Sequence, residues 1–107
     1  MPAMETVKEM KESISIHRGF GRSRDVEFVL YAPEAKKAYI AGKFNNWNTE
    51  QYPMKKGKDG FWRIKIKLSA GTHEYKYFVD GAWAQDVPCA ALVPNPFGTS
   101  NCVISVK

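Results

Sequence analysis

FWRIKIKL, residues 61–68, alternates throughout: Trp62, Ile64, Ile66 and Leu68 fall on one side, and Phe61, Arg63, Lys65 and Lys67 on the other. Successive side chains of a strand point to opposite faces, so this period of two describes a β-strand with one buried face and one wet face. The pattern continues upstream. DVEFVLYA (residues 25–32) sets Val26, Phe28 and Leu30 on one side, and KAYIAG (37–42) sets Ala38 and Ile40 opposite Tyr39. Between them, APEAKK reads as a turn opened by Pro33. Downstream, SAGTHEYKYFVDGAW (69–83) predicts a turn at Ala70-Gly71, then a strand, then a tight turn at Asp80-Gly81. That strand puts His73, Tyr75, Tyr77 and Val79 on the core side and Glu74, Lys76 and Phe78 on the other. DVPCAALVPNPFG (86–98) is too rich in proline, which lacks a ladder donor, to be a central strand. The closing TSNCVISVK alternates again, with Cys102, Ile104 and Val106 facing away from Asn101. Short strands punctuated by Gly, Pro and Asn predict an all-β fold, an antiparallel β-sandwich. A five-stranded barrel is the structural rival.

The 107 residues, 44% hydrophobic and 25% charged, suit one ordinary globular domain with a single modest core. No apolar run is long enough to span a bilayer. In METVKEMKESI (4–14), Val7, Met10 and Ile14 recur at helical spacing, which predicts a short amphipathic helix. Residues 1–18 are accordingly read as an N-terminal extension and 19–107 as the sandwich domain. The opening residues lack the apolar core of a secretory signal and the acid-poor look of a transit peptide, so the expected compartment is the cytoplasm. In that setting Cys89 and Cys102 are expected to remain reduced, as small apolar side chains.

The residues exclude several chemistries. His17 and His73 are the only histidines, no Cys-x-x-Cys occurs, and no zinc spacing is present, so neither a metal nor a cofactor is expected. His73 reads as a hydrogen-bonded core histidine. GFGRSRD (19–25) precedes no helix and is a turn between strands rather than a phosphate loop. Asp80 and Asp86 could be imagined as a glycosidase pair, but a thin sandwich has little room for an enclosing cleft, and the chain is read as non-catalytic. The net charge of +5 admits an acidic partner without demanding one, because the basic residues are interspersed with apolar ones.

Aromatic residues remain where packing does not call for them. Trp47 lies in AGKFNNWNTEQYPM (41–54) among Asn45, Asn46 and Asn48, and Trp83 follows the Asp80-Gly81 turn. Burying Trp47 would desolvate several amides, each costing on the order of 1–3 kcal/mol if unpaired. An indole held by a turn suits a ligand with an apolar face and a rim of hydroxyls, such as a pyranose. A nucleobase is the other flat candidate.

Four separated stretches, YIAGKFNNWN, GFWRIKIKL, GTHEYKYFVDGAWAQD and FGTSNCVISVK, resemble in order the family 48 carbohydrate-binding modules. These are the glycogen-binding domains of AMP-activated protein kinase beta subunits and of branching and debranching enzymes. The resemblance covers about Asp25 to Lys107. It implies an immunoglobulin-like β-sandwich, without catalytic activity, that binds α-1,4-linked glucans: glycogen, starch, maltooligosaccharides and cyclodextrins. Matched motif by motif, it implies Trp47, Lys76, Trp83, Phe97, Thr99 and Asn101 as the binding residues. Phe97 stands where leucine is common, and either stacks as a third ring or packs under its loop. Two further readings stay open: a protein-docking or regulatory module of a glucan-metabolising complex without sugar binding of its own, and a single-stranded nucleic-acid binder. The protein partner expected is a glucan-metabolising enzyme or a kinase-like one. No membrane partner is expected. The extension 1–18 matches nothing in the family, leaving three roles open: covering a sheet edge, dimerisation, or a remnant of a larger arrangement.

Overall fold

The structure is a computed structural model describing residues 10–18, 21, 23–84, 89 and 91–107. Its strands in chain order are β1 (Lys11–Arg18), β2 (Ser23–Tyr31), β3 (Ala38–Gly42), β4 (Lys55–Lys56), β5 (Phe61–Ser69), β6 (Gly71–Val79), β7 (Ala82–Trp83), β8 (Leu92–Pro94) and β9 (Ser100–Val106). Every ladder is antiparallel. They form two sheets, one ordered β1-β2-β5-β4 and one ordered β3-β6-β9-β8, with β7 added to β6. Two separate sheets make a sandwich rather than a closed five-stranded barrel.

The alternation in FWRIKIKL holds: Trp62, Ile66 and Leu68 are buried, while Arg63, Lys65 and Lys67 are exposed. In register, β2 sets Phe28 opposite Ile64 and Leu30 opposite Trp62. The second sheet supplies Ile40, Tyr75, Tyr77, Ile104 and Val106 to the same core. The Phe28 and Tyr75 rings meet edge to face at 5.1 Å. The buried Trp62 indole donates to the Ala32 carbonyl at 3.0 Å, so this tryptophan is structural. His73 is half-buried, with Nε2 2.8 Å from the Ser69 carbonyl oxygen. β8 forms an edge, in keeping with Pro94, which has no ladder donor.

Two expectations are corrected. The helix predicted over 4–14 ends in strand instead, because β1 begins at Lys11; residues 1–9 lie outside the described residues. Glu12 and Ile14 are half-buried and alternate with the exposed Ser13 and Ser15, and an eight-residue ladder with β2, setting Ile14 opposite Phe28, outweighs three apolar residues at helical spacing. β1 thus covers the outer edge of β2, one of the roles left open. The cysteines are also not free: Cys89 and Cys102 form a disulfide with Cα atoms 5.8 Å apart. Pairing of Leu92 with Cys102 folds the proline-bearing segment back along β9, which brings the two cysteines together. Spacing alone carried no sign of that return.

β1 also clamps the sandwich. Glu12 points inward, and its Oε1 accepts hydrogen bonds from the Tyr75 and Tyr77 hydroxyls, both at 2.7 Å. Burial pushes the Glu12 carboxyl above its ordinary value of 4.5, opposed by the two tyrosine hydrogen bonds. Burial, reinforced by the facing Glu12, pushes both phenols well above 10.0. Above pH about 10 the unfolded tyrosines therefore ionise while the folded ones stay protonated, so the folded state binds more protons and stability falls as pH rises. The Glu12 shift has the same sign, operating upward from pH about 4.5. The urea unfolding midpoint should drop between pH 8 and pH 10.5, and Tyr77→Phe should make that drop smaller.

Candidate functional site

The turn carrying Trp47 is built by its own asparagines. After β3 the chain makes a 3-10 turn, Lys43–Asn45, and then Asn46 and Trp47 adopt positive φ values of 56° and 59°. Asn45 is buried; its Oδ1 accepts the Gly42 amide at 3.0 Å and its Nδ2 donates to the Asn48 carbonyl at 3.1 Å. The Trp47 amide donates to the Gly42 carbonyl at 2.9 Å. Left-handed backbone is costly for a tryptophan, and this closed set of bonds holds it there. The Asn45 amide is thus committed to the turn and is not offered to a ligand.

Trp83 is placed by the hairpin from β6 to β7. Asp80 and Gly81 both have positive φ, 51° and 83°, as a tight two-residue hairpin turn requires. The Asp80 carboxylate accepts the Lys36 and Lys37 amides at 2.8 and 2.9 Å, a structural task, while Asp86 lies outside the described residues. Trp83 packs on Phe78 at 5.1 Å and meets Trp47 at 6.2 Å with the ring planes 80° apart. Both indoles are half-buried. They form a corner rather than one flat platform.

Lys76 and Asn101 come from neighbouring strands β6 and β9, on the outer face of the second sheet, as their alternation with core residues predicted. Both are nonetheless only 7% exposed. Burial lowers the Lys76 ammonium from its usual value. Lys76 Nζ donates to Thr99 Oγ1 at 3.3 Å, and Asn101 Nδ2 donates to Glu74 Oε1 at 3.1 Å. Those contacts to Asn101, and then to Lys43 at 3.2 Å, hold the Glu74 carboxyl below 4.5. Phe97, at the tip of the loop before β9, is 86% exposed, so it does not pack under that loop.

All six residues expected from the sequence line one open cavity of about 790 Å³: Trp47, Lys76, Trp83, Phe97, Thr99 and Asn101. Among the described residues, Lys43, Glu74, Pro94, Asn95 and Pro96 also line it. Sequence reasoning assigned no role to Glu74 and Asn95. Glu74 was legible as an outward neighbour of Lys76, and Asn95 as a turn-forming asparagine between two prolines.

The family description "glycogen recognition site of AMP-activated protein kinase" matches residues 26–107. The chain belongs to this family of glycogen-recognition modules. It is 40% identical over 72 residues to the AMP-activated protein kinase subunit beta-1 of Rattus norvegicus, a match covering 67% of this chain and 25% of the relative. It is 39% identical over 79 residues to subunit beta-2 of Homo sapiens, covering 74% of this chain and 28% of the relative. The glycogen-recognition module thus spans about a quarter of the length of these relatives. Among the described residues, no helix is long and apolar enough to cross a membrane.

Proposed function

We propose that the chain is a non-catalytic module that binds α-1,4-linked glucans in the groove between Trp47, Trp83 and the Phe97 loop. The supporting observation is the perpendicular tryptophan pair standing beside a hydrogen-bonded polar row in one open cavity. Glucose rings turn relative to one another along an α-1,4 chain, so two indole faces at 80° suit successive units of a curved glucan. Bases stacked in series along a single strand would want near-parallel rings, which disfavours the nucleic-acid reading. Trp47 and Trp83 supply apolar faces for axial C–H groups, Phe97 adds an exposed third ring, and Lys76, Thr99 and Asn101 meet the hydroxyls.

By analogy with base stacking, each ring contributes roughly 1–3 kcal/mol. An open groove with few walls then gives a Kd in the micromolar to millimolar range, about 4–8 kcal/mol. Titration of tryptophan fluorescence with maltoheptaose or β-cyclodextrin tests this: a saturable change is expected, and an unchanged signal at millimolar sugar would sink the reading. Strong salt-dependent binding to single strands without a sugar response would favour nucleic acid instead. The matched relatives are kinase subunits by name, and a kinase-like or glucan-metabolising enzyme is the protein partner class we assign.

Glu74 supplies a pH test. Its folded pKa is depressed, so its carboxylate, and with it the bond from Asn101, persists until the pH falls below about 4.5. The affinity for β-cyclodextrin should stay flat from about pH 8 to 5 and weaken only at pH values below the ordinary 4.5 of a glutamate.

A further inference from the structure

Asn95 stands at the centre of a hydrogen-bond net. Its Oδ1 accepts the main-chain amides of Phe97 at 2.9 Å and Thr99 at 3.2 Å. A main-chain N–H can only donate, so the orientation of this side-chain amide is unambiguous. Nδ2 therefore faces the other way, donating to Thr99 Oγ1 at 2.8 Å and Asn101 Oδ1 at 2.9 Å.

Two consequences follow from valence alone. Thr99 Oγ1 also accepts from Lys76 Nζ, an ammonium with no acceptor capacity, so both hydroxyl lone pairs are engaged. Its proton must point elsewhere, and Thr99 meets the cavity as a donor. Asn101, with Oδ1 held by Asn95 and Nδ2 held by Glu74, is fixed in one amide orientation.

We propose that Asn95 is the positioning residue that sets the hydrogen-bond polarity of the groove, presenting Thr99 as a donor to an acceptor oxygen of the glucan and locking Asn101. This rests on the glucan reading above. A free threonine hydroxyl rotates and serves as either donor or acceptor, so committing it beforehand removes an ordering cost on binding and selects the ligand oxygen that can accept.

Asn95→Asp separates the two arms of the side chain. It keeps an acceptor for the Phe97 and Thr99 amides, hence the loop, but replaces the donor by a carboxylate oxygen that draws in the Thr99 proton and opposes Asn101 Oδ1. The Kd for β-cyclodextrin should rise about tenfold while the urea unfolding midpoint is kept. Thr99→Val should weaken binding by a similar factor, and Thr99→Ser should stay within about twofold of the parent protein. The double variant Asn95→Asp/Thr99→Val should bind about as well as Asn95→Asp alone, because both changes remove the same donor. Binding by Asn95→Asp or Thr99→Val within about twofold of the parent, or additive losses in the double variant, overturns the proposal. If Asn95→Asp lowers the unfolding midpoint, the valine and serine variants at Thr99 decide: loss with valine and retention with serine support it, and equal binding overturns it. Absence of binding by the parent protein in the same titration overturns the glucan reading itself.

Discussion

Trp47→Ala should abolish measurable binding of maltoheptaose and β-cyclodextrin while the sandwich stays folded. The total free energy of an open groove is only about 4–8 kcal/mol, and loss of one stacking ring removes roughly 1–3 kcal/mol of it. The loss does not stop there. Trp83 is held edge to face against Trp47 at 6.2 Å, and such a pair contributes about 0.5–1.5 kcal/mol beyond area, so the second ring loses one of its two aromatic supports and keeps only Phe78. A combined loss of about 1.5–4.5 kcal/mol raises the Kd by roughly tenfold to a thousandfold, which carries a mid-range affinity into or beyond the millimolar range. The fold survives because the Trp47 side chain is outside the buried core, and its turn is closed through backbone groups and Asn45. Calorimetric titration alongside a urea unfolding curve checks both halves of the prediction. Retained micromolar binding would remove Trp47 from the site.

Gly42→Ala should destabilise the protein by at least about 2 kcal/mol, the scale of overpacking a well-filled position. Its backbone is extended, so the demand is for space rather than for an unusual dihedral angle. A Cβ there would overlap the Glu74 carbonyl oxygen and come within 2.7 Å of the Phe44 ring. The carbonyl belongs to the central strand β6 and cannot swing away as a flexible side chain could. Gly42 also accepts from the Trp47 amide and donates to Asn45 Oδ1, so relief of the clash displaces the Trp47 turn. A lowered urea midpoint together with weaker glucan binding is expected; an unchanged midpoint would mean that β3 and β6 do not approach as described.

The sandwich was legible because its strands obey one simple rule. In β2 one side chain in two is buried along Val26, Phe28 and Leu30, and the inward series Trp62, Ile66 and Leu68 of β5 and Cys102, Ile104 and Val106 of β9 follow the same period. The same rule put Lys76 and Asn101 on the outer face. It could not foresee their burial, which comes from the neighbouring loop and its contacts and not from their own strands. β1 was misread because Val7, Met10 and Ile14 recur at helical spacing, whereas the pairing that decides the matter lies in β2, a long-range partner. The disulfide was hidden for the same reason: only the return of β8 along β9 brings Cys89 to Cys102. The pairing of Trp47 with Trp83 joins two turns far apart in sequence, and the family resemblance suggested it before geometry did.

The binding of a glucan at the tryptophan corner is most directly tested by the three indole N–H signals in a proton–nitrogen correlation spectrum, recorded as β-cyclodextrin is added. The indoles of Trp47 and Trp83 should shift together and saturate, while that of Trp62, bonded to the Ala32 carbonyl inside the core, stays in place. Three unmoved signals at millimolar sugar, or a shift confined to Trp62, would contradict the account.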